Sequence, residues 1–185
     1  ENVPLCFLME RSKKPLTNTP KGYIIKIPLG GIYKEVLQME DKNRKKEITR
    51  AILEALPEWF GIERAREEYI KSSAENLFWA AFDGEKPVGF LYLKETGKDT
   101  VELYVMGVLK DYHRKGVGSA LFKQASEVAK EHGYSFIQVK TVQMGRYEEY
   151  DATNRFYLSL GFREFEVFPT LWDEWNPCQV YVMGL

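Results

Sequence analysis

Cysteine is nearly absent: the 185 residues hold only Cys6 and Cys178. Two cysteines cannot build a disulfide framework or a four-cysteine zinc site, so they read as buried free thiols in a reducing compartment. Long hydrophobic runs are missing as well. No stretch approaches the roughly 18 apolar residues of a membrane helix. The run from Val3 to Met9 is short and lacks a basic leader, so no signal peptide is expected. An excess of one charge is also missing. Lys plus Arg number 26 and Asp plus Glu 27, for a net charge of −1. So balanced a chain is a poor candidate for bulk electrostatic binding to nucleic acid or anionic membrane. These absences predict a soluble cytoplasmic protein with no nucleic-acid or membrane partner.

What is present is enough apolar material for a sizeable core. The hydrophobic fraction is 44% and the aromatic fraction 14%, which excludes a disordered chain. The length predicts one domain. Residues 1–20 carry Pro4, Pro15 and Pro20 around a polar Ser12-Lys13-Lys14 stretch and read as an arm, leaving 21–185 as the domain.

Tyr23 to Ile27 reads as a first strand. Ile48, Ile52, Leu56 and Trp59-Phe60 recur at helical spacing after a charged run from Glu40 to Glu47, with Pro57 ending or kinking that helix. Gly61 reads as its C-cap, and Ala65, Tyr69 and Ile70 begin a second helix. Leu77 to Phe82, Val88 to Leu93 and Val101 to Val108 form a meander, joined at Asp83-Gly84 and Gly97-Lys98-Asp99. Leu121, Ala125 and Val128 return to helical spacing. Phe136 to Val142 is a strand, a short helix ends at Gly161, and Arg163 to Phe168 and Gln179 to Met183 close the chain. The order predicts a mixed α/β sheet with helices on its faces.

The most informative segment is the loop His113-Arg114-Lys115-Gly116-Val117-Gly118, between a strand and a helix. Free N–H groups at a helix start, and the positive end of its dipole, favour an anion. Glycines allow close approach, and Arg114 and Lys115 add charge. The chemistry points to phosphate or pyrophosphate. A Walker A loop needs its lysine after the second glycine, but Lys115 precedes Gly116. A dinucleotide fingerprint needs a third small position, and Leu121 occupies it. An ordinary glycine turn before an amphipathic helix satisfies the same spacing.

This loop resembles the Q/R-x-x-G-x-G/A motif of the GNAT-superfamily N-acetyltransferases, with His113 standing for Gln or Arg. Met106-Gly107-Val108 resembles the family's Leu-Ala-Val segment, and Asn154 to Phe162 its Asn-x-x-Tyr-x-x-x-Gly-Phe pattern. The resemblance covers about residues 21–185. It implies a central, mostly antiparallel sheet with a splayed parallel strand pair and helices on both faces. It further implies acetyl-CoA as cofactor, with pantetheine along Met106, Gly107 and Val108. His113, Arg114, Lys115, Gly116, Val117 and Gly118 would hold the pyrophosphate, and Asn154 would contact the cofactor. Tyr157, three residues on and on the same helix face, would assist the leaving thiolate.

Acetyl transfer to an amine needs a base. Glu102 stands where some members of the family carry one. Strand alternation puts Glu102, Tyr104 and Met106 on one face and Val101, Leu103 and Val105 on the other. Glu102 therefore reads either as the base in an acceptor cleft or as a solvated strand carboxylate. Tyr147 to Asp151, Trp172 to Pro177 and Leu56 to Gly61 each read as acceptor-site walls or as ordinary surface. The expected reaction is direct acetyl transfer from acetyl-CoA to a small-molecule primary amine in a ternary complex, with no metal. Acylation of a protein N-terminus or lysine is the alternative within enzymes. A non-catalytic acyl-CoA-binding sensor is the alternative outside them, and a homodimer is left open.

Overall fold

The structure, a computed structural model, describes residues 25–29 and 32–185. The expected arm at 1–20, with Cys6, and the start of the expected first strand at Tyr23 lie outside the described residues. The described residues open with two antiparallel strands, β1 (Ile25–Leu29) and β2 (Ile32–Met39). Three helices follow: α1 (Lys42–Glu54), α2 (Pro57–Phe60) and α3 (Glu63–Ser73). Next comes the meander β3 (Leu77–Asp83), β4 (Lys86–Gly97) and β5 (Thr100–Val108). The chain ends with α4 (Val117–Glu131), β6 (Phe136–Val142), α5 (Glu148–Ser159), β7 (Arg163–Phe168) and β8 (Cys178–Gly184).

Among the described residues eight strands share one sheet, in the order β1-β2-β3-β4-β5-β6-β8-β7. Every neighbouring pair is antiparallel except β5 and β6. The sequence reading gave one strand before the helices, where the structure has two. Strand β2 carries little pattern, because Val36 alone is buried among residues 35–39.

The helical region also differs from the expectation. The charged run belongs to α1, because Asp41 caps it by accepting from the Arg44 N–H at 2.7 Å. Its inner stripe is Ile48, Thr49, Ile52 and Leu53, joined by Lys45, whose ammonium donates to the Asn76 carbonyl. Pro57 opens α2 rather than kinking α1, since a proline at the first helical position sacrifices no intrahelical bond.

Strands β3 and β4 are buried on both faces, which explains their continuous apolar runs. Phe78, Phe90 and Tyr92 stack under α1 with Ile52 and Val105, the Phe78 and Phe90 rings 5.4 Å apart. Trp79, Leu91, Leu103 and Val139 pack on the other face, against Leu121 and Ala125 of α4. Among the described residues no helix is long and apolar enough to cross a membrane.

Candidate active site

Two features of β5 create the site. The first is a bulge. Tyr92 pairs with Val105 and Leu93 with Leu103, so Tyr104 is an extra residue with no partner on β4. A bulge breaks the two-residue alternation. The expected grouping of Val105 with Val101 and Leu103 is therefore corrected. Val101 and Leu103 face α4, while Val105 packs under α1. Met106, expected beside Glu102 and Tyr104, packs instead with the α4 cluster, and Tyr104 with the α1 cluster.

The second feature is a fork. β5 and β6 pair only at Thr100–Phe136, Val101–Ile137 and Glu102–Gln138. Beyond that point Leu103 to Val108 and Val139 to Val142 line opposite sides of a cleft of about 1320 Å³. That exceeds the roughly 300–1,000 Å³ of a single small-molecule pocket and has room for two ligands.

At the apex of the fork the Lys140 ammonium donates to Glu102 Oε2 at 2.5 Å. Gln138 Nε2 stands 3.5 Å from the same oxygen, at the limit of a hydrogen bond. Among the described residues Oε1 has no donor. Glu102 is 5% exposed yet lines the cleft, so it is not a solvated strand carboxylate.

At the far end of β5 lies the glycine loop. Arg114 (φ 56°) and Gly116 (φ 76°) both adopt left-handed backbone, and Gly116 precedes α4 without a side-chain cap. The first helix N–H groups, of Val117, Gly118 and Ser119, therefore find no protein acceptor among the described residues. Such a turn presents several N–H groups to one anion. Gly118 allows a tight approach of another kind. A Cβ there would stand 2.9 Å from Phe156 Cζ and 3.0 Å from Met106 Cε. His113 lines the cleft, its Nε2 2.7 Å from the Val108 carbonyl oxygen and its ring edge-on to Trp59. Ion pairing of Lys110 with Glu58 and a bond from Tyr112 Oη to Asp83 at 2.7 Å fix the loop's base.

Helix α5 carries Tyr157 and Asn154, both buried. Tyr157 lines the cleft, and burial raises its phenol well above the ordinary tyrosine value. Asn154 sits elsewhere than expected. Its amide donates to the carbonyls of Val142 (3.0 Å) and Tyr150 (2.7 Å), and its Oδ1 accepts from the Tyr181 hydroxyl at 2.6 Å. These three bonds brace α5 against β6 and β8, and the side chain is buried away from the cleft lining.

The structure thus brings Glu102, Met106, Gly107, Val108, His113, Arg114, Gly118 and Tyr157 to one cleft. Val117 is a core residue, and Lys115 Nζ lies 5.7 Å from the Tyr112 ring centroid. All three segments that read ambiguously reach the cleft: Trp59 and Phe60 from α2, Glu149 and Tyr150 from α5, and Trp172 from the β7–β8 connection. Trp175 in that connection is 77% exposed. Burial pushes the Tyr150 phenol up to about 12, and its hydroxyl donates to the Trp59 carbonyl at 3.1 Å, tying α5 to α2. Lys140 and Arg66 escaped the sequence reading. Neither belongs to a motif, and each acquires its role from a partner outside its own element.

Residues 45–162 match the model of the acetyltransferase (GNAT) family. No curated protein sequence matches the chain. Solved structures share its fold. An IAA acetyltransferase from Bacillus cereus is 21% identical, over 82% of this chain and 99% of that one, with a TM-score of 0.65. The ribosomal-protein-S18-alanine N-acetyltransferase of Escherichia coli is 17% identical, over 82% and 93%, with a TM-score of 0.64. The PaiA N-acetyltransferase of Thermoplasma acidophilum, solved with coenzyme A, is 16% identical, over 82% and 99%, with a TM-score of 0.63.

Proposed function

The chain belongs to the acetyltransferase (GNAT) family, and from that premise we propose that it transfers the acetyl group of acetyl-CoA to a primary amine of a small molecule. Attack is direct, within a ternary complex, and residues 21–185 act as one catalytic domain. One observation carries this reading: a cleft large enough for two ligands joins a buried carboxylate at the strand fork to an uncapped helix N-terminus.

The uncapped N–H groups of Val117, Gly118 and Ser119, beside Arg114, fit the pyrophosphate of acetyl-CoA. The backbone of Met106, Gly107 and Val108 lines the path from that loop to the fork. When bound, acetyl-CoA supplies a thioester carbonyl that an amine can attack.

Glu102 Oε1 accepts the proton that the amine sheds as its nitrogen bonds to the carbonyl carbon. Lys140 holds the other oxygen and so fixes the direction of Oε1. Tyr157 gives its phenolic proton to the sulfur as the carbon–sulfur bond breaks. Its raised pKa keeps that proton in place at neutral pH. The aromatic walls formed by Trp59, Tyr104, Tyr150 and Trp172 exclude water and suit the apolar body of a small acceptor.

The test is thiol release from acetyl-CoA across a panel of primary amines, peptides with free N-termini and lysine peptides. Turnover with small amines and none with peptides is the expected result. Turnover with peptides alone overturns the choice of acceptor. Tight acetyl-CoA binding without turnover on any amine overturns the assignment of catalysis.

A further inference from the structure

The arginines of α1 and α3 are paired with acids, except one. Arg44 meets Glu47, Arg50 meets Glu54 and Glu67, and Arg64 meets Glu68. Arg66 forms no ion pair among the described residues, although its charge reaches the carboxylate of Glu67 beside it. The residues three and four positions on are Tyr69 and Ile70, and Glu63, three positions back, forms no ion pair with it among the described residues. The same spacing turns Ile62, Arg66 and Tyr69 to one face of α3, and all three line the cleft.

Arg66 is also partly buried, unlike Arg64. Its Nη1 donates to the Phe60 carbonyl at 3.1 Å, which fixes the plane of the guanidinium. Its Nε is buried with no partner. Such a donor costs free energy until something accepts from it, and a charge half out of water costs more without a counter-ion. With Nη1 committed to Phe60 and Nε buried, Nη2 is the donor left to meet a ligand in the cleft. A charged N–H donor held in a fixed plane suits a carboxylate oxygen. A single guanidinium balances the single charge of a carboxylate and only part of a phosphate dianion. Nearby acids do not fill this place. Glu67 gives both oxygens to Arg50, Glu102 is held by Lys140, and Asp173 is occupied by the N–H groups of Trp175 and Asn176 and the Asn176 amide.

We propose that Arg66 binds a carboxylate of the acceptor, so that the molecule acetylated is an amino acid or a close relative with both an amine and a carboxylate. The amine faces Glu102 at the fork and the carboxylate faces α3. This inference rests on the proposed function and narrows its substrate class.

The test uses the full chain with saturating acetyl-CoA and pairs each proteinogenic L-amino acid with its carboxamide. The best amino acid should exceed its amide in kcat/KM by about tenfold or more. Arg66→Met and Arg66→Lys should erase that preference by raising KM for the amino acid. The rate with the amide and the KM for acetyl-CoA should stay within about twofold. Equal rates for acids and amides, or a preference that survives Arg66→Met in a folded variant, overturn the proposal. A second measurement separates it from the question of catalysis. The same amino acids are titrated calorimetrically into protein saturated with coenzyme A. Binding that Arg66→Met abolishes supports the carboxylate site even if no amine is acetylated, and binding that is absent or unchanged refutes it.

Discussion

Lys140 of β6 reaches across to Glu102 of β5 at the point where the two parallel strands part, with 2.5 Å between ammonium and carboxylate. The pair closes the fork at its apex. Its two members are unequally covered, the Lys140 side chain 27% exposed and that of Glu102 6%. Removing the lysine therefore leaves the more buried charge alone. Lys140→Met should destabilise the fold by about 3 kcal/mol, the low end for a broken buried pair because the lysine is partly solvated. Adding Glu102→Gln to that variant should recover most of the loss. Urea unfolding of the two single variants and the double variant measures the coupling, and additive losses would show that the pair contributes nothing as a pair.

Gly118 separates two effects that a single substitution would mix. Any side chain there presses its Cβ on Phe156 and Met106. Gly118→Ala carries that steric cost alone, and Gly118→Glu adds bulk and negative charge at the uncapped end of α4. Acetyl-CoA affinity measured by calorimetry should fall at least about tenfold further in the Glu variant than in the Ala variant, or about 1.4 kcal/mol. Equal losses would remove the pyrophosphate from this helix end.

Asn154 has its three hydrogen bonds inside the protein. At about 1 kcal/mol for each bond lost, Asn154→Ala should cost about 3 kcal/mol of stability. Acetyl-CoA affinity of the folded variant should stay within about twofold, because the side chain faces the interior. A large, selective loss of affinity with stability unchanged would restore the cofactor contact expected from the motif.

Tyr157→Phe keeps the ring that packs against Phe162 and Tyr181 and removes the hydroxyl. Turnover should fall by about tenfold or more, with KM for acetyl-CoA little changed. The raised phenol pKa has a second consequence. Below pH 10 the group is protonated in folded and unfolded chains alike, and its contribution to stability is full and constant. As pH rises past the unfolded value of about 10, only the unfolded chain ionises it, and stability falls. Wild type should therefore lose stability between about pH 10 and 12 more steeply than Tyr157→Phe, which thermal melts across that range can read.

The sequence made the loop legible because its chemistry is local. Two glycines one residue apart, two cations and a helix start lie within His113 to Gly118, and the structure places them as one turn. The face of Glu102 was legible too, since the bulge lies beyond it at Tyr104. The side on which Val105 and Met106 fall was not, because a bulge leaves no mark in the hydrophobic pattern. The hydrogen bonds of Asn154 were not legible either. Spacing placed it beside Tyr157, but contacts with Val142 and Tyr181, distant in sequence, decide what its amide does. Lys140 and Arg66 were invisible for the same reason. Their meaning depends on an acid 38 residues away in one case and on the Phe60 carbonyl of another helix in the other.

The role of Glu102 rests on a proton, and pH can isolate it. Glu102→Gln keeps the shape and removes the negative charge. It also leaves Lys140 without its counter-ion, so the comparison is made against the double variant Glu102→Gln, Lys140→Met. If Glu102 takes the amine's proton, both variants should be slow at neutral pH, by about 10²-fold or more. Both should recover as pH rises toward the pKa of the free amine, because solvent then removes the proton that Glu102 would have accepted. Recovery in the double variant excludes the stranded lysine as the cause of the slow rate. Rate profiles that overlay wild type at every pH would reduce Glu102 to a structural partner of Lys140. A loss that stays constant with pH would assign it to holding the acceptor. In either of those cases the base lies elsewhere, and His113, which lines the same cleft beside Trp59, is the next group to replace.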